Sequence, residues 1–333
     1  GFTLGCALAK SGTKVILYDF NPPIWDLPKG IILIRSDVRN FSDLYSACEG
    51  VDCLIHTASY GMTGIEQLHK KRIRSVNIGG TGIVLEGVLS GRQRIPRLIY
   101  TSTVDVVFAG QTIVDGDEAT VSYVPLEQVR RLKVVISKIH SGLLYFIGGG
   151  KLYTCAIRPP GIYGPEDLQH LSRLALNWER GFFNVCLGNP GILTNWVHVK
   201  NLVQAHILAA KALTPETDYI AGGQAYFIND GEEVNLFEWL SPLVSPRSVH
   251  NMYVTHTFKI DKAQSQLGYT PKKYSLADCV DHFLKKGPRP RSFFLQKCLL
   301  LLVVLTGLVA LTMKFTQVRD FLLDSWGKYR HLL

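Results

Sequence analysis

The chain has 333 residues, 47 % of them hydrophobic and 19 % charged, with a net charge of +9 and a slightly positive mean hydropathy. That is enough apolar material to bury a sizeable core, as one large domain or two small ones. The basic residues are dispersed along the chain, which argues against a nucleic-acid partner. The seven cysteines are scattered, odd in number and without a CxxC pair; that argues against a disulfide framework or a zinc site and for reduced thiols.

In chain order, Phe2–Lys10 carries a helical pattern closed by Gly12. Val15–Tyr18, Ile31–Ile34, Cys53–His56 and Leu98–Thr101 read as buried strands, being short, apolar, partly β-branched and bounded by turn residues. One long helix is predicted from about Glu66 to Leu89. Alternation at this spacing implies parallel βαβ units and a doubly wound sheet, an α/β fold of the Rossmann type. Later strands are predicted at Tyr153–Arg158, Trp196–Val199 and Ala225–Ile228, and later helices at Leu168–Arg180, Val199–Leu213 and Ser275–Lys286.

Gly287-Pro-Arg-Pro-Arg291 is a stiff, basic linker, taken here over 288–292. Beyond it, Cys298–Met313 is free of charge and bounded by Lys297 and Lys314. Extended back to Phe293, the run 293–313 holds one lysine, which can snorkel, and approaches the ~20 apolar residues that cross a bilayer. A single transmembrane helix over 293–313 is therefore expected, with a tail over 314–333; a core helix is the plainer alternative. Lys285, Lys286, Arg289 and Arg291 before the run place the large domain on the cytosolic side.

Gly1-Phe-Thr-Leu-Gly5 opens the first helix, and the strand after it ends in Asp19. An acid about 20 positions past a glycine turn is where a Rossmann domain grips the adenosine ribose; its carboxylate accepts from the 2′ and 3′ hydroxyls and repels a 2′-phosphate, favouring NAD over NADP. Asp37, in Ser-Asp-Val-Arg39, follows the next strand, and the third runs into the small residues His56-Thr-Ala-Ser59.

Longer motifs sharpen this. Asp37-Val-Arg39, His56-Thr-Ala-Ser-Tyr-Gly61, Val76-Asn-Ile-Gly-Gly-Thr81, Tyr100-Thr-Ser-Thr103, Arg158-Pro-Pro-Gly-Ile-Tyr-Gly-Pro165, Asn195–His206, Gly222–Asp230 and Leu267-Gly-Tyr-Thr-Pro271 together span roughly residues 1–287. In these the chain resembles an extended short-chain dehydrogenase/reductase of the 3β-hydroxysteroid dehydrogenase/isomerase type, within it family 42E. The resemblance implies NAD as cofactor, held by Gly1, Asp19, Asp37, Val38, Thr57, Ala58, Ser59, Asn77 and Pro159. It also implies a steroid-like alcohol as substrate, a C-terminal membrane helix, and an endoplasmic-reticulum location, and it leaves a homodimer open. The domain organisation expected is a dinucleotide-binding domain over 1–160 and a substrate-binding subdomain with returning Rossmann elements over 161–287. Gly1 would be the last glycine of the family's TGxxGxxG turn, so the strand before that turn, central in the doubly wound order, is expected to be missing from a truncated sequence.

Members of this class use a Tyr with a Lys four residues later on one helix face, plus a Ser or Thr hydroxyl that holds the substrate oxygen. Thr103 matches the hydroxyl, with capping of the next turn as its structural alternative. The Tyr-x-x-x-Lys pair belongs between Pro125 and Gly150, where the chain has none. Elsewhere only Tyr269 is followed four residues on by a lysine, Lys273, and Pro271 between them keeps the two off one helix face. A substrate-covering insertion is also shortened around Leu240–Asn251. Three readings follow: a membrane-bound, NAD-dependent 3β-hydroxysteroid dehydrogenase-like oxidoreductase; a catalytically dead, membrane-anchored dinucleotide-binding module; and a sugar-nucleotide epimerase or dehydratase on the same fold.

Overall fold

The computed structural model describes residues 1–23, 25–61, 64–89, 95–125, 145–147, 150–165, 191–235 and 254–275, with isolated positions 302, 306, 312 and 314. Helix α1 (Phe2–Lys10) leads into two parallel strands, β1 (Val15–Asp19) and β2 (Ile31–Arg35), paired from Val15↔Ile31 to Asp19↔Arg35. The helix lies so close to β1 that a Cβ on Gly5 would stand 2.6 Å from Leu17 Cδ2, which explains a glycine inside a helix. Helix α2 (Phe41–Ala47) starts at Asn40, whose side chain accepts the Asp43 N–H at 3.2 Å. Strand β3 (Cys53–His56) follows.

The stretch expected as one helix from Glu66 to Leu89 is built in four pieces: a 3-10 turn at Gly64–Leu68, α3 (Lys70–Ile73), a π-helical turn at Arg74–Gly80, and α4 (Thr81–Leu89). Apolar spacing alone does not reveal the π turn. It goes with the reach of the Asn77 side chain and the close approach of the bare Gly80 backbone to Val38, described below.

Strands β4 (Arg97–Thr101), β7 (Gly150–Arg158) and β10 (Gln224–Phe227) continue the parallel sheet in the order β10-β7-β4-β3, with β6 (Tyr145–Ile147) antiparallel to β7. Between β4 and β6 lies β5 (Ile113–Gly116). It belongs to a second sheet, ordered β11-β9-β12-β5, that adds β9 (Leu193–His198), β11 (Glu233–Asn235) and β12 (His256–Phe258). The short β8 (Gly161–Tyr163) pairs with β9. Helix α5 (Val199–Lys211) packs Leu202, Ala205 and Ala209 against Ile99, Cys155, Ile157 and Tyr226 of the main sheet, and α6 (Asp261–Leu267) closes the same core with Ala263 and Leu267.

The strands predicted at Cys53–His56, Val15–Tyr18 and Ile31–Ile34 form within a residue of those bounds, whereas β5, β8, β11, β12 and α6 were not anticipated. Ser275 is not helical, and the remainder of the helix expected there, like that at Leu168–Arg180, lies outside the described residues. So do the basic stretch 129–138, the shortened insertion at 240–251 and most of the span 293–313. Within that span Leu302, Thr306 and Thr312 are helical, and Leu302 is 61 % exposed. No helix among the described residues is long and apolar enough to cross a membrane.

Among the described residues β1 pairs only with β2, and β3 only with β4. The doubly wound sheet is therefore parted between β1 and β3, the place that the resemblance assigns to a strand ahead of Gly1.

Candidate active site

The parting opens into a cavity of about 3120 Å³ that runs from the space between β1 and β3 along the C-terminal tips of β1, β2, β3, β4 and β7. Ordinary ligand pockets hold about 300–1,000 Å³, so the volume takes in both the inter-sheet gap and a ligand cleft. Gly1, Asp19, Asp37, Val38, Thr57, Ala58, Ser59, Thr103 and Pro159 all line it. Residues far apart in sequence are thus brought together in one crevice outside the carboxyl ends of parallel strands, where open α/β sheets bind ligands.

Asp19 ends β1 exposed, its Oδ1 accepting the Asn21 N–H at 2.9 Å. That bond fixes the carboxylate and leaves its second oxygen for another donor. Asp37 is engaged differently. Its two oxygens accept from Arg39 Nε at 2.9 Å and Nη2 at 2.6 Å, and the guanidinium, foremost through those hydrogen bonds, holds the carboxyl below its ordinary range. The bidentate pair turns Asp37 into a fixed feature of the wall, with Arg39 reaching on to Ser75 Oγ at 3.0 Å.

Gly1 faces Thr57 so closely that a Cβ would stand 3.1 Å from the threonine oxygen. Ser59 Oγ is buried without a hydrogen-bond partner, one of two such side-chain atoms among the described residues. The orphaned Ser59 hydroxyl, the Gly1–Thr57 approach and the exposed Asp19 carboxylate all line this one cavity, a donor and acceptor set that fits a dinucleotide. A buried hydroxyl of that kind otherwise carries an uncompensated desolvation cost.

Asn77 is bonded to the loop after β3. It is 4 % exposed and does not line the cavity; its Oδ1 accepts the Tyr60 N–H at 2.8 Å and its Nδ2 donates to the Tyr60 carbonyl at 3.0 Å. This amide clamp holds the loop that presents Thr57 and Ser59. The π turn is what aims it. In the same turn a Cβ on Gly80 would meet Val38 at 2.6 Å, so the helix presses on the loop after β2 as well. One residue on, Thr81 Oγ1 donates to the Asn77 carbonyl and lies 2.8 Å from His56 Nε2, tying the helix to the tip of β3.

Thr103 sits in the turn after β4, 8 % exposed, and its Oγ1 accepts the Asp105 N–H at 3.3 Å. The capping alternative is therefore real, and it is compatible with the other role, because an oxygen that accepts there still has its own O–H to donate. Two residues back, Thr101 bonds its hydroxyl to Nε2 of His206 at 2.8 Å, and His206 Nδ1 meets the Leu202 carbonyl at 2.8 Å. The decoy pair separates as expected. Tyr269 is buried, donates to the Asn229 carbonyl at 2.9 Å and has its phenol pushed up by burial, while Lys273 is exposed and pairs with Glu232.

Residues not singled out from sequence also line the cleft. Arg72 covers the Tyr60 ring, 4.7 Å from its centroid, and Phe108 stacks on His256 at 4.2 Å. Trp196 lies flat on Gly161, where a Cβ would come within 2.6 Å of the indole. The glycine in Arg158-Pro-Pro-Gly161 was the available signal for that approach.

A parallel sheet with a ribose-type acid, a glycine–threonine contact and an orphaned serine hydroxyl along its strand tips defines a dinucleotide-binding protein of the extended short-chain dehydrogenase/reductase class. Residues 26–256 match the model of the 3-beta hydroxysteroid dehydrogenase/isomerase family. The chain belongs to that family. It is 39 % identical to short-chain dehydrogenase/reductase family 42E member 1 of Danio rerio, over 96 % of this chain and 94 % of that one. It is also 32 % identical to a 3-beta-hydroxysteroid dehydrogenase of Mycolicibacterium neoaurum, over 85 % and 88 %. The first alignment extends over 370 residues, more than the 333 of this chain, so the relative carries segments that this chain lacks. Among solved structures, a UDP-glucose 4-epimerase of Thermotoga maritima superposes with a TM-score of 0.68 at 17 % identity, over 86 % of this chain and 96 % of that one. A UDP-glucuronic acid 4-epimerase of Bacillus cereus bound to NAD gives 0.65 at 19 %, over 86 % and 96 %. At such identities the likeness establishes the fold alone.

Proposed function

We propose that this chain is an NAD-dependent oxidoreductase acting on the CH–OH group of a flat, apolar alcohol of the steroid or sterol kind, held at a membrane by its C-terminal span. The observation that carries the reading is the placement of Asp19, Ser59 and Thr103 along one crevice. When bound, NAD supplies the hydride acceptor. Asp19 binds ribose hydroxyls and disfavours a 2′-phosphate; Ser59 gives its buried hydroxyl to the cofactor; Thr103 donates to the substrate oxygen, which polarises the C–O bond as charge develops there.

The substrate half of the cleft supports an uncharged ligand. Phe108, Val124, Ile162, Trp196 and His256 are among the cavity walls, a largely apolar group that suits such a ligand. A bilayer is also where sterols partition, which suits the charge-free run at 298–313.

A second reading keeps a specific observation behind it: the whole sequence has no Tyr-x-x-x-Lys pair able to share a helix face. On that reading the chain binds a dinucleotide and turns nothing over. Incubation of the membrane-inserted chain with NAD and a panel of 3β-hydroxysteroids separates the two. NADH formation above background supports the oxidoreductase; saturable NAD binding without NADH supports the inactive module; and no NAD binding at all refutes both.

A further inference from the structure

One face beside the cleft has no part in the chemistry above. The 3-10 turn at Gly64–Leu68 runs into α3, and the sequence there reads Leu68-His-Lys-Lys-Arg-Ile-Arg74. Ile73 is the inward anchor of this segment: it is buried, and a Cβ on Gly61 would meet its side chain at 2.6 Å. With that residue held inside, Lys70, Lys71, Arg72 and Arg74 are all exposed. Leu68, two residues ahead of the helix, is 74 % exposed, the most open of the large apolar side chains among the described residues.

The segment holds one acid, Glu66, against those four bases. Beside it Arg39 is paired with Asp37 and bonded to Ser75, so that pair cancels and adds little to the local field. The result is a compact cationic patch with a bare leucine at its edge. Tyr60 joins the patch to the cleft. Arg72 covers the Tyr60 ring at 4.7 Å, the phenol oxygen lies 3.0 Å from His69 Nδ1, and Tyr60, Arg72 and Val76 all line the cavity.

We propose that this face docks on the surface of an anionic bilayer, with Leu68 seated among the headgroups, and so holds the cleft against the membrane that carries the substrate. The inference rests on the membrane-held reading above and deepens it. Charge selects the occupant. Acidic headgroups attract each lysine or arginine near the surface, and the cytosolic leaflet, on the side expected for the large domain, is the acidic one. A leucine among bases has the composition of an interfacial segment, where the apolar side chain enters the headgroup boundary and the bases stay outside it. A second copy of the chain fits badly, because a two-fold contact centred here sets these four charges against their own images. A nucleic acid would use the charges and leave the leucine in water. Four charges and one leucine make a weak contact, which orients a chain already held by its C-terminal span.

The test uses the full chain carrying Leu68→Trp, reconstituted in vesicles of phosphatidylcholine alone or of phosphatidylcholine and phosphatidylserine in equal parts, with brominated lipid as quencher. The signal is the difference from the parent chain, which cancels the five native tryptophans. The added indole should be quenched in the acidic vesicles and not in the neutral ones. Quenching should fade at about 1 M salt, where charges are screened within about 3 Å. Adding Lys70→Gln, Lys71→Gln and Arg74→Gln together should lower the docking equilibrium about 10²-fold, about fivefold per charge, and return the signal to its level in neutral vesicles.

Equal quenching in both vesicles, or none in either, overturns the docking face. Shielding of the indole that grows with protein concentration and ignores lipid charge identifies a second copy and overturns it too. So does shielding by a duplex oligonucleotide where acidic lipid gives none. Flotation reports on the parent reading separately. A chain that floats with neutral vesicles keeps its anchor whatever the indole does; one that does not float with them loses the anchor, and quenching by acidic vesicles then still decides the docking face.

Discussion

His206 offers the sharpest physical test of the core beneath the site. It is 3 % exposed on α5, between the Leu202 carbonyl and the Thr101 hydroxyl, and burial pushes its imidazole down from 6.5 to about 4. The sign follows from linkage. An unfolded chain takes up the proton as the pH falls through about 6.5 and the folded chain only near 4, so stability is lost across that window. At about 1.36 kcal/mol per unit the full effect is about 3 kcal/mol, and the step from pH 7 to pH 5 accounts for about 2 kcal/mol of it. His206→Gln keeps an acceptor for Thr101 but cannot titrate. It should cost about 1–3 kcal/mol at pH 7 through imperfect bonding, yet lose about 2 kcal/mol less than the parent between pH 7 and pH 5. Urea midpoints with their slopes, measured for both proteins at both values, give the comparison. If the two proteins weaken in parallel, within about 0.5 kcal/mol, the buried imidazole is not what the acid attacks.

Asn77→Leu strips both hydrogen bonds from the Tyr60 backbone and should destabilise by about 2–4 kcal/mol, with faster hydrogen exchange at the Tyr60 amide; unchanged exchange there contradicts the clamp. Asp19→Asn should weaken NAD binding roughly tenfold to a hundredfold, the value of a charge-assisted hydrogen bond, while weakening NADP less; isothermal titration with both cofactors decides. Tyr269→Phe should cost about 1–3 kcal/mol in thermal or chemical denaturation and leave NADH formation by folded protein unchanged, because its phenol serves the Asn229 carbonyl and not the reaction. Deleting 293–333 should release the chain from the membrane pellet, and retention there argues against a C-terminal anchor.

The strand tips were legible because they combine two signals that survive in sequence. A buried parallel strand is a short apolar run, and an acid or small residue at its end breaks that run in a recognisable way; Val15–Asp19 and Cys53–Ser59 show both. The π turn was not legible. Its residues Arg74–Gly80 keep helical spacing, and the reason for the extra residue per turn lies elsewhere: in the Tyr60 backbone that Asn77 must reach and in Val38, against which Gly80 presses. Strands β5, β11 and β12 escaped for a related reason. They are three or four residues long, and partners up to 142 positions away hold them, as with the Thr257 hydroxyl on the Asp115 N–H. A period of two cannot declare itself in so short a run. His256 belongs to one of these strands, and nothing local distinguishes a cleft-lining histidine from any other.

The Asn77 amide and the Thr81 hydroxyl fasten one helix to the Tyr60 backbone and to the His56 ring. The loop under Thr57 and Ser59 is therefore only as firm as that helix, so a substitution at Asn77 or Thr81 should blunt nucleotide binding without removing any atom that touches the nucleotide.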